Sequence, residues 1–421
     1  MINVTKSKFV LYVFRYYQTI TGFCVIMAIV LSGIVRSSAW ADDSSRQRRF
    51  IYNSDAGNMF VAKRPPMKPE DLYSDIDAVA NAGVTTFCIS PNVGMVMNFP
   101  SKHARMLGDE EEPSIRNRIK DEASKKPGTT RAAVNLKTLV DMGHDPLQII
   151  IERAKKMGME VFISFRVNEV HWADNPEGFS QQLIISRFWR KHPDWHVGKQ
   201  GDALSNLHTE ILGPRTNPIV GKWLASGLNF AIPEVRQRRL DQLRECLERY
   251  DIDGLELDFQ RFPVFFKYGE EGKYLPTMTN WMREVRDMSL EVAEKSGRPL
   301  LLSARIMARP EQNVGIGLDP VTWAQEGLVD FLVVSHYLHN NFPLPVREYR
   351  GLLPDDLPLY ASIEVEREVA NYKKIAEQLY LDGVDGILIF NFFTSRDQGN
   401  EPQYELLKEL GDPDSISHAE Q

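Results

Sequence analysis

Eight short apolar runs that alternate with amphipathic helical stretches restrict the fold more than any other feature of the sequence. The runs lie at residues 50–53, 84–90, 160–166, 252–258, 300–307, 331–337, 359–365 and 386–392. The best-patterned helical stretches cover residues 69–82, 145–157, 233–250, 277–296, 319–326 and 369–382. Strands that alternate with helices are typical of βαβ units and a parallel sheet, and eight units is the number that closes a barrel. The sequence therefore predicts an α/β protein, a single (β/α)8 TIM barrel over residues 42–412.

An open, doubly wound sheet is the rival architecture. Such folds often bind nucleotides through a Gly-x-Gly-x-x-Gly motif after the first strand or a Gly-x-x-x-x-Gly-Lys-Ser/Thr motif, and the sequence has neither. The chain carries 50 Lys and Arg against 57 Asp and Glu, a net charge of −7, whereas proteins that bind nucleic acids usually have a basic excess. We therefore expect no cofactor and no nucleic-acid partner.

Two connections are too long to be simple links between a strand and a helix. Residues 92–144 follow the second run, and residues 167–231 follow the third. In a barrel both insertions leave the C-terminal ends of their strands, so they surround the same mouth. We expect them to form the walls of a substrate cleft.

The first 41 residues have the composition of a targeting segment. Three basic residues, Lys6, Lys8 and Arg15, precede an apolar run at 21–35, and small residues follow up to Ala41. This order is typical of a secretory signal peptide, here with cleavage after Ala41, and indicates a secreted or periplasmic protein without a stable membrane span after cleavage. An uncleaved anchor is the alternative, although the run is shorter than the roughly 20 residues that a bilayer core requires.

Cysteine content and the C-terminus add less. Of the three cysteines, Cys24 lies in the signal segment, which leaves Cys88 and Cys246 as expected buried thiols, with a bridge between them still possible in an exported protein. No spacing suggests zinc, so the fold must depend on a hydrophobic core. Residues 413–421 are predicted to form a polar tail.

Polar residues interrupt the apolar runs at a spacing of two, near the C-terminal ends of the predicted strands. Because side chains alternate between the faces of a strand, Leu255 and Leu257 would face the helices while Glu256 and Asp258 point into the barrel. The same reasoning selects Asn53, Asp55, Ser164, Arg166, Ser303, Arg305, His336, Ser362, Glu364 and Asn391. Charges inside a barrel are costly unless they are paired or wetted by a cleft.

Two interpretations of these charges are open. In the first, Arg166 and Arg305 form an internal ion network with the carboxylates and serve only stability. In the second, the charges mark an active site, because barrel enzymes place their chemistry at the C-terminal ends of the strands. Glycosidic cleavage needs one carboxyl group as acid and another as nucleophile or base. We predict Asp258 and Glu364 as that pair, with Glu256 as the alternative partner of Asp258.

The remaining candidates are assigned to substrate binding. They are Glu256, Arg166, Arg305, His336, Tyr337, Asn391, Asn53 and Trp172. A tryptophan ring complements the C–H face of a sugar, although local packing explains such a residue equally simply. His336 and His339 lack a third ligand of suitable spacing, so no metal is expected. Asp253, Asp330 and Asp385 open their runs, at the end of a barrel where residues serve stability, and are not predicted to be catalytic.

One segment resembles a known family. Residues 250–263, YDIDGLELDFQRFP, are similar to the strand-four signature of bacterial glycosyl-hydrolase-like TIM-barrel families of the glycosyl hydrolase-like 10 type. The approach to strand four, residues 229–236, and residues 158–163 before strand three are also similar. The resemblance implies an extracytoplasmic carbohydrate-active barrel with Asp258 as its strand-end acidic residue. Glu364 lies outside the motif, and its assignment to the carboxylate pair depends on the alternation of side chains alone.

The sequence thus predicts an extracytoplasmic glycoside hydrolase (an O-glycosyl hydrolase) that acts on an oligo- or polysaccharide. Two alternatives remain. A non-catalytic carbohydrate-binding barrel would use its arginines to neutralise the carboxylates permanently. A hydrolase or lyase of an anionic polysaccharide would use Arg166, Arg261 and Arg305 to hold the substrate.

Overall fold

The computed structural model describes residues 48–110, 112–199, 201–339, 343–364, 369–392, 403–413 and 416. The predicted signal peptide, residues 1–41, lies outside the described residues. Eight parallel strands form a closed barrel: β1 (Phe50–Ser54), β2 (Thr86–Ile89), β3 (Glu160–Arg166), β4 (Gly254–Asp258), β5 (Leu301–Met307), β6 (Phe331–Ser335), β7 (Leu359–Ile363) and β8 (Gly386–Phe390). Each strand pairs with its neighbours in sequence, and β8 pairs with β1. The predicted (β/α)8 barrel is confirmed.

A helix follows every strand on the outside of the barrel. These helices are α1 (Tyr73–Asn81), α2 (Pro146–Lys156), α3 (Pro233–Arg249), α4 (Leu275–Ser296), α5 (Pro320–Gln325), α6 (Val346–Leu352), α7 (Val369–Leu381) and α8 (Leu407–Leu410). Local sequence starts α2, where Asp145 accepts hydrogen bonds from the amides of Leu147 and Gln148 and Pro146 occupies the first turn. None of the helices in the described ranges is long and apolar enough to cross a membrane.

Both predicted insertions carry structure of their own. The insertion after β2 contains a hairpin (Asn92–Val93 and Val96–Met97) and helices Pro113–Lys125 and Thr129–Asp141. The insertion after β3 contains helices Phe179–Gln182, Arg187–Lys191, Asn206–Leu212 and Ile219–Leu224 and a 3-10 turn, Pro193–Trp195. Shorter connections contain helices Gly57–Ala62 and Pro310–Gly315 and 3-10 turns Pro69–Leu72, Glu271–Tyr274 and Tyr404–Leu406. The sequence did not predict the helices of residues 113–141, because charged residues outnumber the apolar ones in the first of them.

Apolar side chains form two separate layers on either side of the strands. Leu255 and Leu257 belong to the large outer layer between strands and helices, as the alternation predicted. The inner layer consists of Ile51, Cys88, Phe162, Phe331, Val333, Tyr360, Leu388 and Phe390. Cys88 and Cys246 are buried and unbridged, which confirms their expected state. The barrel is therefore a packed core up to the level at which its polar residues begin.

The N-terminal ends of the strands are joined by a repeated contact. Asp253, Asp330 and Asp385 each accept a hydrogen bond of 2.7–2.8 Å from a backbone amide near the start of the preceding strand. Each carboxylate also pairs with a basic side chain from a helix or loop outside the barrel. These contacts fit the structural role predicted for the three aspartates.

Candidate active site at the C-terminal mouth

Arg305 lies between the two carboxylates that were predicted to be catalytic. Its Nη1 is 3.7 Å from Asp258 Oδ2, and its Nη2 donates to Glu364 Oε1. All three side chains are at most 1% exposed. The parallel register sets Asp258 beside Arg305, while Glu364 directly follows β7, two strands further round the barrel. The fold therefore brings Asp258 and Glu364 onto one guanidinium.

Glu364 is held by more than its ion pair. The hydroxyls of Ser335 and Ser362 each donate to its Oε1 at 2.6 Å, in addition to Arg305. Ser335 is the β6 side chain that points into the barrel, because it shares the alternation of Phe331 and Val333. Three donors thus converge on one oxygen of Glu364, and one of them is the charged guanidinium of Arg305.

Two predicted inward positions are therefore wrong. We expected His336 on β6 and Asn391 at the end of β8 to face the barrel interior, but the inner positions belong to Ser335 and Phe390. Both polar residues come one position after an inner residue, Ser335 or Phe390, so their side chains have the opposite parity. Asn391 instead accepts a hydrogen bond from the backbone amide of Asp55 at 3.0 Å.

Glu256 lies one step below Asp258 on the inner face of β4. Its Oε1 accepts hydrogen bonds from Asn53 Nδ2 and Ser164 Oγ, both at 2.7 Å. Its Oε2 is buried and has no hydrogen-bond partner among the described residues. Burial, reinforced by the nearby charges of Asp258 and Glu364, raises the pKa of Glu256 to about 7 against the opposing effect of Arg305.

A second cluster of charged residues lies on the β3 side of the mouth. Arg166 lies 3.1 Å from Glu169 and 3.4 Å from Asp55. The buried Glu169 also accepts hydrogen bonds from the backbone amide and ring of His171. Although burial alone would raise the pKa of Glu169, the hydrogen bond from His171 and the charges of Arg166 and Arg261 lower it well below the ordinary value.

His171 connects this group to Asp258. Its Nε2 lies 2.7 Å from Arg261 Nη2, and because a guanidinium can only donate, His171 Nε2 is the acceptor and Nδ1 carries the proton given to Glu169. Burial lowers the pKa of His171, which agrees with a neutral ring. The backbone amide of Arg261 donates to Asp258 Oδ1 at 2.9 Å. Sequence reasoning missed Glu169 and His171 because both lie past the end of β3.

Among the residues that the structure describes, five non-glycine residues adopt the left-handed conformation, and all five follow strand C-termini. They are Ala56, Trp172, Phe262, Leu338 and Asn391, with φ between 45° and 64°. Such conformations cost on the order of 1–3 kcal/mol each and cluster at functional sites. Trp172 is also 39% exposed, with its ring centre 5.6 Å from that of Trp223. The mouth is thus the strained end of the barrel.

A cleft of about 260 Å³ opens at the C-terminal ends of β5 and β6, and neither Asp258 nor Glu364 is among the residues that line it. Its lining includes Glu210 from the insertion after β3, Arg309 and Gln312 after β5, and Ser335, His336 and Tyr337 at the end of β6. Burial lowers the pKa of His336 to about 4, so its ring is neutral at pH 7. Ser335 lines the cleft and also donates to Glu364, which connects the cleft to the carboxylate pair.

The charged residues of the mouth pair with one another. No three His, Cys, Asp or Glu side chains converge as a metal site would require in the part of the chain that the structure describes. The site contains carboxyl groups in different environments. Asp258 is ion-paired with Arg305, whereas the pKa of Glu256 is raised to about 7 by burial.

The fold and the mouth define a TIM-barrel protein with several carboxyl groups where barrel enzymes carry out their chemistry. Residues 129–296 match the model of the family described as glycosyl hydrolase-like 10. The matched segment includes β4 and the motif at residues 250–263, so the resemblance inferred from that motif is confirmed. No curated protein matches the chain.

Solved structures of glycoside hydrolases are similar to the chain at low identity. The glycoside hydrolase domain of PgaB (BpsB) from Bordetella bronchiseptica is 11% identical, with 86% of this chain and 99% of that chain covered and a TM-score of 0.49. Alpha-L-fucosidase isoenzyme 2 from Paenibacillus thiaminolyticus is 13% identical, with 89% and 49% covered and a TM-score of 0.45. Alpha-amylase from Geobacillus thermoleovorans is 13% identical, with 88% and 79% covered and a TM-score of 0.44.

Proposed function

We propose that this protein hydrolyses glycosidic bonds at the C-terminal mouth of its barrel, with Asp258 and Glu364 as the carboxylate pair. The observation that carries the proposal is that both carboxylates contact Arg305. Ser335, which donates a hydrogen bond to Glu364, also lines the neighbouring cleft. The match of residues 129–296 to a glycosyl hydrolase-like family supports the same reaction class. The substrate class is an oligo- or polysaccharide.

The two carboxylates have different surroundings, which suggests different roles. Glu364 accepts three hydrogen bonds on one oxygen, one of them from Arg305, and we assign it as nucleophile or as the group that stabilises an oxocarbenium-like transition state. Asp258 has a longer contact of 3.7 Å with Arg305 and is suited to proton transfer at the leaving oxygen. If the carboxyl groups work about 5–5.5 Å apart the anomeric configuration is retained, and about 6.5–9.5 Å gives inversion.

The other predicted site residues divide into two groups. Asn53, Glu256, Arg166 and Arg305 are buried, and they would position the carboxylates from below or beside them. His336 and Tyr337 line the cleft and Trp172 exposes its ring, so these three would contact the sugar. Asn391 would hold the loop after β1 through the amide of Asp55.

The test is reducing-end release from a panel of neutral and uronic-acid polysaccharides. We compare the unsubstituted protein with Asp258→Asn and Glu364→Gln, and we use Asp253→Asn as a matched control because it makes the same change immediately before β4, at the opposite end of the barrel. Turnover that is lost in both mouth variants and kept by the folded control supports the proposal. Turnover that survives in Glu364→Gln contradicts the choice of Glu364.

A carbohydrate-binding barrel without catalysis is the second candidate. The observation in its favour is that both carboxylates are at most 1% exposed and share one arginine. It predicts binding to a polysaccharide that survives Asp258→Asn, without turnover in either form.

A third candidate acts on an anionic polysaccharide. Arg261 Nε and Nη1 are buried at the mouth without hydrogen-bond partners among the described residues, and these donors suit a carboxylate or sulfate group. The uronic-acid members of the panel test it, since they would then be the only members bound or cleaved.

We further propose export of the protein by residues 1–41, with cleavage after Ala41. The order of basic, apolar and small residues supports this proposal. N-terminal sequencing of the protein from the periplasm or medium should begin at Asp42, whereas an intact N-terminus in the membrane fraction would favour the anchor.

A further inference from the structure

A row of alternating charges crosses the mouth of the barrel. Arg166 on β3 and Arg305 on β5 are the register partners of Asp258 on β4, so an arginine lies on each side of that carboxylate. Arg305 also contacts Glu364 after β7, and Arg166 also contacts Asp55 after β1 at 3.4 Å. The row therefore runs from Asp55 through Asp258 to Glu364.

The two ends of this row differ in their access to solvent. The side chains of Asp258 and Glu364 are at most 1% exposed, and so is that of Glu169, the other partner of Arg166. The side chain of Asp55 is 26% exposed. Among the described carboxylates that contact the two arginines of the row, Asp55 is thus the one that a ligand can reach.

Asp55 is accessible and is also held in place. The backbone amide of Gly57 donates to its Oδ1 at 3.0 Å, and Arg166 Nη2 donates to its Oδ2. The backbone amide of Asp55 itself donates to Asn391 Oδ1 at 3.0 Å. The next residue, Ala56, is fully buried with a φ of 60°, a conformation that persists only where the surroundings impose it. The carboxylate is therefore fixed before any ligand binds.

The carboxylate of Asp55 has hydrogen-bonding capacity that the protein does not use. An ionised carboxylate has about four lone-pair sites, two on each oxygen. Among the described residues, Oδ1 accepts only from Gly57 and Oδ2 only from Arg166. Each oxygen thus keeps a site for one more donor. Two neighbouring hydroxyls of a sugar ring supply two such donors, and hydrogen bonds to an ionised acceptor are the strong ones.

We propose that Asp55 is a substrate-binding residue that accepts hydrogen bonds from two neighbouring hydroxyls of a neutral sugar unit and holds that unit beside Asp258. The inference rests on the proposed function for the identification of the ligand as a saccharide. Arg166 contacts Asp55 and is the register partner of Asp258, so it sets the spacing between the binding carboxylate and the reacting one. A uronic acid at this position would bring a second negative charge to Asp55 and would be rejected.

The first test is equilibrium binding, which needs no turnover. Isothermal titration calorimetry measures the affinity of the protein and of Asp55→Asn for neutral hexasaccharides of glucose, galactose, mannose and xylose, in the Asp258→Asn background where the ligand is otherwise cleaved. Asp55→Asn should weaken binding about 10-fold or more, because hydrogen bonds to a charged group are lost. Asp77→Asn is the matched control, since Asp77 also pairs with an arginine and is 29% exposed, but lies on α1 outside the barrel.

The second test separates binding from a purely structural role as the partner of Arg166. Asp55→Glu keeps the charge but moves the carboxylate by one methylene, so its urea midpoint should stay close to that of the unsubstituted protein while its affinity falls about 10-fold. This variant also carries the test if Asp55→Asn does not fold. Monodeoxy analogues of the bound sugar give a further readout: the loss caused by the Asp55 substitution should shrink for the two analogues that lack neighbouring hydroxyls and persist for the others.

The outcomes separate this inference from the proposed function. Equal affinities of the unsubstituted protein and the Asp55 variants would overturn the inference, even if Asp258→Asn abolishes turnover, and so would an equal loss for every deoxy analogue. If a sugar binds through Asp55 and none is cleaved, the proposed hydrolase fails and the inference stands. If no neutral hexasaccharide binds, the inference fails, and turnover on the uronic-acid polysaccharides decides the hydrolase separately.

Discussion

The two ends of the barrel are built from the same eight strands and have opposite chemistry. At the N-terminal end the inner side chains are apolar, and the buried Arg49 forms hydrogen bonds to both carboxylate oxygens of Glu160 at 2.8 and 3.0 Å. At the C-terminal end, Arg305 serves two carboxylates, and Glu256 and Arg261 retain buried polar atoms without described partners. One end therefore satisfies its polar groups, and the other keeps groups available for chemistry.

Backbone conformation divides the barrel in the same way. Glycines supply the left-handed turns between helices and strands at the N-terminal end, at Gly83, Gly158, Gly297, Gly327 and Gly383. At the mouth, non-glycine residues occupy that region, among them Trp172 and Leu338. Glycine adopts positive φ without a Cβ penalty, whereas these side chains do not. Backbone strain is thus avoided at these turns of the N-terminal end and is present at the mouth.

Removal of Arg305 should have the largest effect on stability. Arg305→Met leaves Asp258 and Glu364 buried without their shared counterion, and breaking a buried ion pair in this way costs about 3–5 kcal/mol. Urea unfolding monitored by fluorescence measures the loss. The triple variant that adds Asp258→Asn and Glu364→Gln should recover most of it, and a loss under 1 kcal/mol in Arg305→Met would show that the carboxylates do not depend on this charge.

The next largest effect concerns pH. The folded state raises the pKa of Glu256 from about 4.3 to about 7 and so favours the protonated form; this contribution to stability is complete below pH 4 and is lost as the pH rises through 7. Glu256→Gln cannot ionise, so its free energy of unfolding relative to the unsubstituted protein should increase by about 2–3 kcal/mol between pH 5 and 8. Denaturant titrations at both pH values provide the test, and a constant difference would contradict the expectation.

An intermediate effect is expected at the N-terminal end. Asp330 accepts a hydrogen bond from the backbone amide of Leu302 and forms an ion pair with Arg286, and Asp330→Asn removes its charge. Hydrogen bonds to charged groups contribute about 1.5–3 kcal/mol to stability. Stability should fall by about 2 kcal/mol while the activity per folded molecule stays the same. A loss of activity in the folded variant would mean that the two ends are not independent.

The smallest effect tests the strain comparison. Gly327 has a φ of 66° and no atom within 4 Å of an added Cβ, so Gly327→Ala should cost only about 1 kcal/mol of conformational strain. Thermal unfolding measures it, with Gly272→Ala as a control because its surroundings are equally open and its φ is not left-handed. Equal effects of the two substitutions would remove strain as the explanation.

Much of the fold and part of the site followed from the sequence. The alternation of Leu255, Glu256, Leu257 and Asp258 predicted which residues face the barrel, because the period of a strand is two and the inner and outer faces differ in polarity. His336 was assigned to the wrong face, because the inner side chains of β6 are Phe331, Val333 and Ser335. Glu169 and His171 were missed because both lie past the end of β3.

Local pattern alone therefore determined the eight strands, their inner faces and the end at which charges accumulate, since these depend only on the period of each element and on its order in the chain. Tertiary structure decided which charges meet. Arg305 contacts Glu364 across 59 positions of sequence, and Asn53 reaches Glu256 across 203, distances over which no periodic signal extends. Closure of the barrel brings these residues together, and the burial that results raises the pKa of Glu256.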